Sequence, residues 1–311
     1  MFEVFISYKD MIEYLISPNA KNHNLDVFTL KDNKKILSLK GHKNTIRTIR
    51  YFIDKDNNIS EYLISADDNS IVIIWSITYN FNIKYQIVTN YEDVIYSCLL
   101  IFTNNKKKYI ITSTFNKSND LDKSATKIYS FNDGKLLKYI SDSNNNSIYY
   151  LLSWYNKKND KNYIIQFSCK KIIINNLLED ELYSELKYEV ESNYLSGFIF
   201  NKDNNDYLCS SSSIGQIIIW DLYNKQIFKI INTGGRLLAH IIQWNDKYII
   251  VADGFNKSFK IIDLEENRGV IQDISGKHTD KVKCIKKIYH PFYGESLLSS
   301  SGDKTIKLWA I

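Results

Sequence analysis

The chain of 311 residues has little proline and little glycine, with two prolines and 11 glycines. Linkers between domains are usually rich in these residues or in serine, and no such stretch interrupts this sequence. Because 44% of the residues are hydrophobic, the chain can also bury a large core. We therefore predict one domain that covers residues 1–311.

Cysteine is scarce as well, and long apolar runs are absent. The four cysteines, Cys98, Cys169, Cys209 and Cys284, show none of the spacings of metal sites. Isolated cysteines of this kind indicate buried thiols in a reducing compartment. The sequence shows no secretory signal and no apolar stretch of transmembrane length. We expect a cytoplasmic protein, and a nuclear location stays open.

The motifs that carry catalysis are also missing. The sequence contains no nucleophile elbow, no phosphate-binding glycine loop and no histidine pair at helical metal spacing. The five histidines are scattered along the chain. We therefore predict a protein that is not an enzyme and that uses no cofactor and no catalytic metal.

Charge of one sign is in modest excess, with a formal net charge of +5. Lysine supplies the excess, since arginine occurs only at Arg47, Arg50, Arg236 and Arg268. Surfaces that bind nucleic acid usually cluster basic residues or interleave them with stacking aromatics. Scattered lysines favour solvated loops. Recognition of RNA or of an anionic membrane by the basic surface is kept as the alternative function.

What the sequence does contain is a repeat of a tyrosine followed by two apolar residues, at intervals of 41 to 54 residues. A polar turn and a second apolar strand follow each copy. The copies begin at Tyr14, Tyr62, Tyr109, Tyr163, Tyr207 and Tyr248, with Ser296 in the seventh. This period is typical of a propeller blade. We predict an all-β, seven-bladed β-propeller of four-stranded antiparallel blades.

The best preserved copies include YLISADDNSIVIIWSI from Tyr62 and LLSSSGDKTIKLWAI from Leu297. They resemble the WD-repeat β-propeller family, whose signature is a Gly-His pair, an aspartate in the turn and a strand that ends in Trp-Asp. Aligning the copies gives the position of the family tryptophan in each repeat. These positions are Phe28, Trp75, Tyr129, Asn175, Trp220, Ile262 and Trp309.

The resemblance implies a hydrogen-bonded tetrad of histidine, serine, aspartate and tryptophan in each fully preserved blade. In the last blade the tetrad would be His278, Ser299, Asp303 and Trp309. In the second it would be His42, Ser65, Trp75 and either Asp67 or Asp68, of which we select Asp68. The middle blades lack the histidine, so we expect them to depend on apolar packing and to open first on heating.

The resemblance also implies where partners bind. In WD-repeat proteins, partners often contact the rim of the channel through residues that flank the first apolar position of each inner strand. Arginine and tyrosine are favoured among them because these types dominate interface hot spots. The predicted partner-binding rim consists of Phe5, Arg47, Tyr149, Tyr194, Arg236, Lys281 and Lys283.

The last blade is short of one strand in the sequence. Residues 2–7 and 13–17 supply the first two strands of the first blade, and the final blade reaches only its third strand. We therefore expect a three-stranded last blade with an uncovered edge at Lys304 to Trp309 that accepts a strand from a partner or a second copy. The predicted function is a non-enzymatic scaffold for protein–protein interaction, as a subunit of a larger assembly.

Overall fold

The computed structural model describes residues 2–55, 59–78, 80–88, 93–102, 107–116, 125–141, 147–179, 181–265, 269–290 and 292–310. Strands are the regular structure throughout these ranges. No helix in the described part of the chain could span a lipid bilayer. The all-β prediction is thereby confirmed.

The strands form seven antiparallel sheets, the blades of a β-propeller, and in each sheet the strands follow one another in chain order. Blade 1 contains β1 (Glu3–Ile6), β2 (Glu13–Pro18), β3 (Leu25–Thr29) and β4 (Lys34–Leu39); blade 2 contains β5 (Ile46–Asp54), β6 (Ser60–Asp67), β7 (Ile71–Ser76) and β8 (Asn82–Val88); blade 3 contains β9 (Asp93–Phe102), β10 (Lys108–Asn116), β11 (Ala125–Ser130) and β12 (Leu136–Ser141).

The remaining sheets follow the same plan. Blade 4 contains β13 (Ile148–Asn156), β14 (Lys161–Ser168), β15 (Ile172–Asn176) and β16 (Leu182–Leu186); blade 5 contains β17 (Tyr194–Lys202), β18 (Asn205–Ser212), β19 (Gln216–Asp221) and β20 (Gln226–Asn232); blade 6 contains β21 (Leu238–Gln243), β22 (Tyr248–Asp253), β23 (Ser258–Asp263) and β24 (Val270–Ile274); blade 7 contains β25 (Val282–His290), β26 (Gly294–Ser301) and β27 (Ile306–Ala310).

In the part of the chain that the structure describes, blade 7 has three strands, as expected, and β1 pairs with β2 inside blade 1. The edge of blade 7 differs in its bounds from the prediction. Lys304 lies in the turn before β27 with a φ of 66°, so the edge strand is Ile306–Ala310. The turn therefore takes up two residues that the apolar pattern had assigned to the strand.

The register of the strands reproduces the sequence repeat. The first aliphatic residue after each repeated tyrosine faces the tryptophan position of the next strand, as in Leu63 with Trp75 and Leu208 with Trp220. The other five pairs are Leu15 with Phe28, Ile110 with Tyr129, Ile164 with Asn175, Ile249 with Ile262, and Leu297 with Trp309. The sequence alignment of the repeats is thus a structural alignment of the blades.

The chain divides into two compact units, Met1–Leu151 and Leu152–Ile311. In the first unit, one apolar cluster gathers Ile16, Ile49 and Trp75, among others. In the second unit, a cluster contains Cys209, Ile219 and Val251. Fully buried aliphatic side chains on the middle strands explain why these strands read as continuous apolar runs.

The thiols are mostly inside. Cys209 and Cys284 are buried, and Cys169 is half-buried. The side chain of Cys98 lies outside the described residues. Burial raises the pKa of the Cys209 thiol, which makes it a poor nucleophile at neutral pH.

Candidate partner-binding surface

The tetrad of blade 7 lies where the sequence puts it. Trp309 Nε1 donates to Ser299 Oγ at 2.7 Å, and His278 Nε2 lies 2.8 Å from the same oxygen. His278 Nδ1 is 2.8 Å from Asp303 Oδ2. Because the serine oxygen accepts from the indole, its proton is available for Nε2, and Nδ1 then carries the proton donated to the carboxylate.

Asp303 is held by several further donors. Its carboxylate also accepts from Thr305 Oγ1 at 2.6 Å and from the backbone amides of Thr279 and Thr305 at 3.0 and 2.9 Å. Desolvation by burial works to raise the pKa of Asp303, but the hydrogen bonds from Thr305, His278 and the two amides outweigh it and hold the pKa well below its usual range.

In blade 2 the tetrad forms with Asp67, and the selection of Asp68 is wrong. His42 Nε2 is 2.7 Å from Ser65 Oγ, which also accepts from Trp75 Nε1 at 2.8 Å. His42 Nδ1 is 2.8 Å from Asp67 Oδ2. The reason is the two-residue period of a strand: Ser65 and Asp67 lie on one face of β6. Asp68 follows the strand and binds Arg47.

The tetrads have the order of atoms of a Ser-His-Asp catalytic triad, but they are sealed. Ser65 and Ser299 are both 0% exposed, and His42 and Asp67 have fully buried side chains. A nucleophilic serine must face a substrate, whereas each of these serines accepts a hydrogen bond from an indole. The arrangement locks two strands of a blade together.

Two blades without the histidine retain a polar pair at the same positions. In blade 5, Trp220 Nε1 donates to Ser210 Oγ at 2.9 Å. In blade 4, Gln166 and Asn175 replace serine and tryptophan, and Gln166 Nε2 donates to Asn175 Oδ1 at 2.7 Å. Sequence reasoning missed the second pair, although aligning the repeats puts both residues in register.

Two of the predicted rim residues are inside the protein, which corrects the prediction. Phe5 is 6% exposed and stacks on Tyr51 with ring centroids 4.0 Å apart. Tyr194 is 0% exposed and lies edge-on to Trp220 at 6.2 Å. Burial raises the pKa of Tyr194 to about 12. Neither side chain can contribute to a surface that meets a partner.

The misplacement of Tyr194 has a geometric cause. A β-bulge interrupts the pairing of the inner strand, and the residue left out of register is Arg47 in blade 2, Lys283 in blade 7 and Leu195 in blade 5. The bulge turns Arg47 and Lys283 outward, and both are exposed. In blade 5 the residue at the bulge is Leu195, which is half-buried, and Tyr194 before it faces the core, as Ile46 and Val282 do in the other two blades.

In the first unit, the two other predicted rim residues are only partly available. Arg47 forms a bidentate ion pair with Asp68, in which Nη2 donates to Oδ2 at 2.9 Å. The Arg47 side chain remains 46% exposed. Tyr149 is half-buried on β13. Arg47 is therefore tied to its own blade.

In the second unit, three predicted rim residues are exposed, at or just before the starts of β21 and β25. Arg236 precedes β21, and its guanidinium carbon is 5.6 Å from the ring centroid of Phe255, a residue 58% exposed in the turn between β22 and β23. Lys281 and Lys283 flank Val282 at the start of β25, and both are exposed. We call Arg236, Phe255, Lys281 and Lys283 the Arg236 surface.

Gly254 joins these elements. Its amide donates to Leu237 O at 3.0 Å. A Cβ at this position would stand 3.3 Å from Leu237 O and 3.5 Å from Val282 O, so the turn that carries Phe255 is wedged between the starts of β21 and β25. The turn that carries Phe255 therefore packs against the segments that carry Arg236 and the two lysines. Sequence reasoning missed Phe255 because the rim was predicted from residues of the inner strands alone.

A second exposed aromatic group lies at the other end of β25. Tyr289, Phe292 and Tyr293 are 67%, 68% and 62% exposed around the turn between β25 and β26. Tyr293 stacks on His290 with ring centroids 4.8 Å apart. Three large aromatics exposed together exceed the scattered apolar residues of an ordinary surface.

Several lysines of the second unit lie beside carboxylates. Lys171 pairs with Glu185 at 2.8 Å, and Lys260 pairs with Asp273 at 2.8 Å. Lys287 pairs with Glu295 at 2.7 Å. In the part of the chain that the structure describes, no group of three or more His, Cys, Asp and Glu side chains could hold a metal ion.

Comparison with known proteins supports a repeat architecture. A family model described as "WD domain, G-beta repeat" matches residues 33–76 and 270–310, the segments that contain the tetrad tryptophans Trp75 and Trp309. A search of curated proteins finds no match.

Among solved structures, two similar ones are crystal structures of BBS1N in complex with ARL6DN, one soaked with lead and one soaked with mercury. The first is 11% identical with a TM-score of 0.73 and is matched over 100% of this chain and 91% of that chain. The second is 12% identical with the same TM-score of 0.73 and is matched over 100% and 92%. At these identities the likeness concerns the fold.

Proposed function

Because the chain is a seven-bladed β-propeller with WD repeats, we propose that it is a non-enzymatic scaffold that binds other proteins through the Arg236 surface, as a subunit of a larger assembly. The observation that carries the proposal is the exposed Phe255 ring beside the Arg236 guanidinium. Arginine and aromatic residues dominate the energetics of protein interfaces.

The charge around Phe255 selects the partner. Lys281 and Lys283 add two exposed cations at the start of β25, where the Asp280 side chain accepts from the Lys281 amide at 2.7 Å. An apolar ring beside a guanidinium, with two lysines at the start of the strand next to its turn, fits a segment that presents an apolar residue flanked by acids. The similar structure of BBS1N was solved in complex with ARL6DN, which supports the proposal that the partner is a protein.

The sealed tetrads support a role without catalysis, because their serines and histidines are out of reach of a substrate. The buried thiol of Cys209 supports a reducing compartment. We therefore also propose a cytoplasmic protein, with a nuclear location left open.

Quantitative co-purification from the native cell tests the proposal. The double variant Arg236→Glu with Phe255→Ala should lose the proteins that the unmodified chain retains. Phe228→Ala is the matched control, since Phe228 is 57% exposed on β20, nearly as much as Phe255. It should retain the partners. All three proteins should have the same melting temperature, because the substituted side chains are exposed.

Salt titration separates the proposal from the alternative. A protein interface anchored by Phe255 and Arg236 should weaken only modestly between about 0.05 and 0.2 M salt, whereas binding to phosphates should weaken steeply. Retention of every partner by the double variant would overturn the assignment of the surface. Nuclease-sensitive or vesicle-bound material lost between the two salt concentrations would support RNA or an anionic membrane.

A further inference from the structure

The six four-stranded blades share a pairing rule between the third and fourth strands. The residue three positions before the tryptophan position always faces leucine or isoleucine on the fourth strand. The pairs are Leu25 with Leu39, Val72 with Ile87, Thr126 with Ile140, Ile172 with Leu186, Ile217 with Ile231, and Phe259 with Ile274. Leu39, Ile87, Leu186 and Ile231 are buried by this contact layer.

The tryptophan position itself faces a second aliphatic residue in five of these blades. Ile83, Leu136, Leu182, Ile227 and Val270 hold this place, and Lys35 holds it in blade 1. In all six blades a bulge lies between these two contacts, so the two contact residues are four positions apart on the fourth strand. The usual sequence pattern of the fourth strand is therefore an aliphatic residue, three intervening residues, and then leucine or isoleucine.

Blade 7 has the same two contact positions on its third strand, but the described residues contain no fourth strand to cover them. Trp309 occupies the tryptophan position, and Ile306 lies three residues before it. Trp309 is half-buried, whereas Trp75 and Trp220 are 2% and 1% exposed in blades that have their fourth strand. Leu308, between the two contact positions, is 37% exposed.

The backbone of β27 is oriented to extend the sheet. Ser301 N donates to Thr305 O at 3.2 Å. Because the direction of backbone groups alternates along a strand, those of Lys307 and Trp309 also face β26. The amides and carbonyls of Ile306, Leu308 and Ala310 therefore point to the uncovered side, where they can pair with an added strand.

Charge adds the third element of recognition. In blade 6, Lys260 lies two residues before the tryptophan position and pairs with Asp273 on the fourth strand at 2.8 Å. In blade 4 the same place on the fourth strand holds Glu185, which binds Lys171. In blade 7 the residue equivalent to Lys260 is Lys307, whose ammonium donates to the Lys277 carbonyl. A carboxylate on an added strand would lie opposite Lys307.

We propose that β27 binds an extended segment of a partner protein that carries an aliphatic residue, any two residues, Asp or Glu, and then Leu or Ile. The segment runs antiparallel to β27, its first aliphatic residue faces Trp309, its acid faces Lys307 and its final Leu or Ile faces Ile306. This site is separate from the Arg236 surface, and it supplies the scaffold with a second point of attachment.

A peptide from the chain itself is a suitable probe. Residues 269–276, Gly-Val-Ile-Gln-Asp-Ile-Ser-Gly, contain the fourth strand of blade 6 and the proposed pattern. Labelled with a fluorophore, this peptide should show saturable anisotropy on titration with the intact protein. The Asp273→Lys peptide and the Ile274→Ala peptide should each bind at least about tenfold more weakly.

Charge exchange makes the test specific. The Lys307→Glu protein should lose about tenfold for the original peptide and recover it for the Asp273→Lys peptide. Leu308→Pro should abolish binding of both, because it removes an amide that points to the uncovered side and leaves the β26 ladder intact. The control Lys34→Glu, on the outer strand β4, should bind as the unmodified protein does.

Two outcomes would overturn the proposal. One is the absence of saturable binding up to about 1 mM, and the other is binding that Lys307→Glu and Leu308→Pro leave unchanged. A dimer of the unmodified protein that Lys307→Glu converts to a monomer, without peptide binding, would assign the edge to a second copy instead. The Arg236→Glu with Phe255→Ala protein should bind the peptide normally, so failure at one surface is distinct from failure at the other.

Discussion

Ser65 accepts a hydrogen bond from the indole of Trp75 at 2.8 Å, and this contact ties β6 to β7. The same contact recurs between Ser210 and Trp220 at 2.9 Å and between Ser299 and Trp309 at 2.7 Å. What differs between blades is the kind of group that uses the serine besides the indole. In blades 2 and 7 a buried histidine also uses it, and in blade 5 the serine donates to Ile218 O at 3.0 Å.

The first prediction compares two serines. Ser65→Ala removes the partner of both the Trp75 indole and His42 Nε2, so two buried polar groups lose a hydrogen bond. Ser210→Ala leaves one buried donor, the Trp220 indole, without its acceptor, and the Ile218 carbonyl loses the hydroxyl that donates to it. We expect the first variant to lose about 2 to 4 kcal/mol and the second about 1 to 2 kcal/mol of unfolding free energy. Urea denaturation measures both, and equal losses would contradict the network.

The second prediction separates two neighbouring aspartates. Asp67→Asn should destabilise the protein by about 1 to 3 kcal/mol because the buried His42 loses its charged acceptor. Asp68→Asn, which weakens an ion pair with a half-exposed arginine, should change stability by less than about 1 kcal/mol. Thermal unfolding of the two isosteric variants decides the matter, and a larger loss for Asp68→Asn would restore the original assignment.

The third prediction concerns acid. The pKa of Asp303 is lower in the folded protein than its ordinary value. The folded state therefore gains stability from this group at any pH above the ordinary value, and the gain disappears as the pH falls toward the folded pKa. The unfolding free energy should fall below about pH 4.

The control for the acid effect is Asp303→Asn, which should be less stable at pH 7 and should lose less on acidification than the unmodified chain. The hydrogen bond acceptor at this position no longer titrates in the variant. Parallel profiles of unfolding free energy against pH for the two proteins would show that other carboxylates cause the acid transition.

The fourth prediction concerns local opening. In blade 6 the serine and tryptophan positions are Val251 and Ile262, which are both apolar, so the side chains there form no hydrogen bond. Amides in β22 and β23 should exchange with deuterium before those of β6 and β7, which the tetrad of blade 2 joins. Earlier exchange in β6 and β7 would show that apolar packing alone protects a blade better than the tetrad does.

Much of the fold follows from local patterns in the sequence. The repeated tyrosine with its two apolar residues marks the second strand of each blade, and the tryptophan position marks the third, since a strand between two sheets must be apolar on both sides. The edges of elements are less local. Lys304 was expected in a strand and lies in a turn, because its backbone adopts a left-handed conformation.

The candidate site was only partly predictable. Arg236, Lys281 and Lys283 are exposed as the rim rule requires, but Phe255 comes from a turn that the rule does not cover. The prediction for Tyr194 failed because Tyr194 holds the position of Ile46 and Val282, which directly precede the bulge and face the core. Such a bulge leaves no mark in composition, since Arg47, Lys283 and Leu195 all occupy it.

The sequence by itself determined the number of blades and the register of their middle strands, because these depend on spacing and on apolar runs along the chain. Only the tertiary structure decided that Asp67 holds His42, that Tyr194 is inside and that Phe255 lies beside Arg236. These outcomes depend on which face of a strand a side chain occupies and on which turns meet in space, and both are set by bulges and packing between strands distant in the sequence.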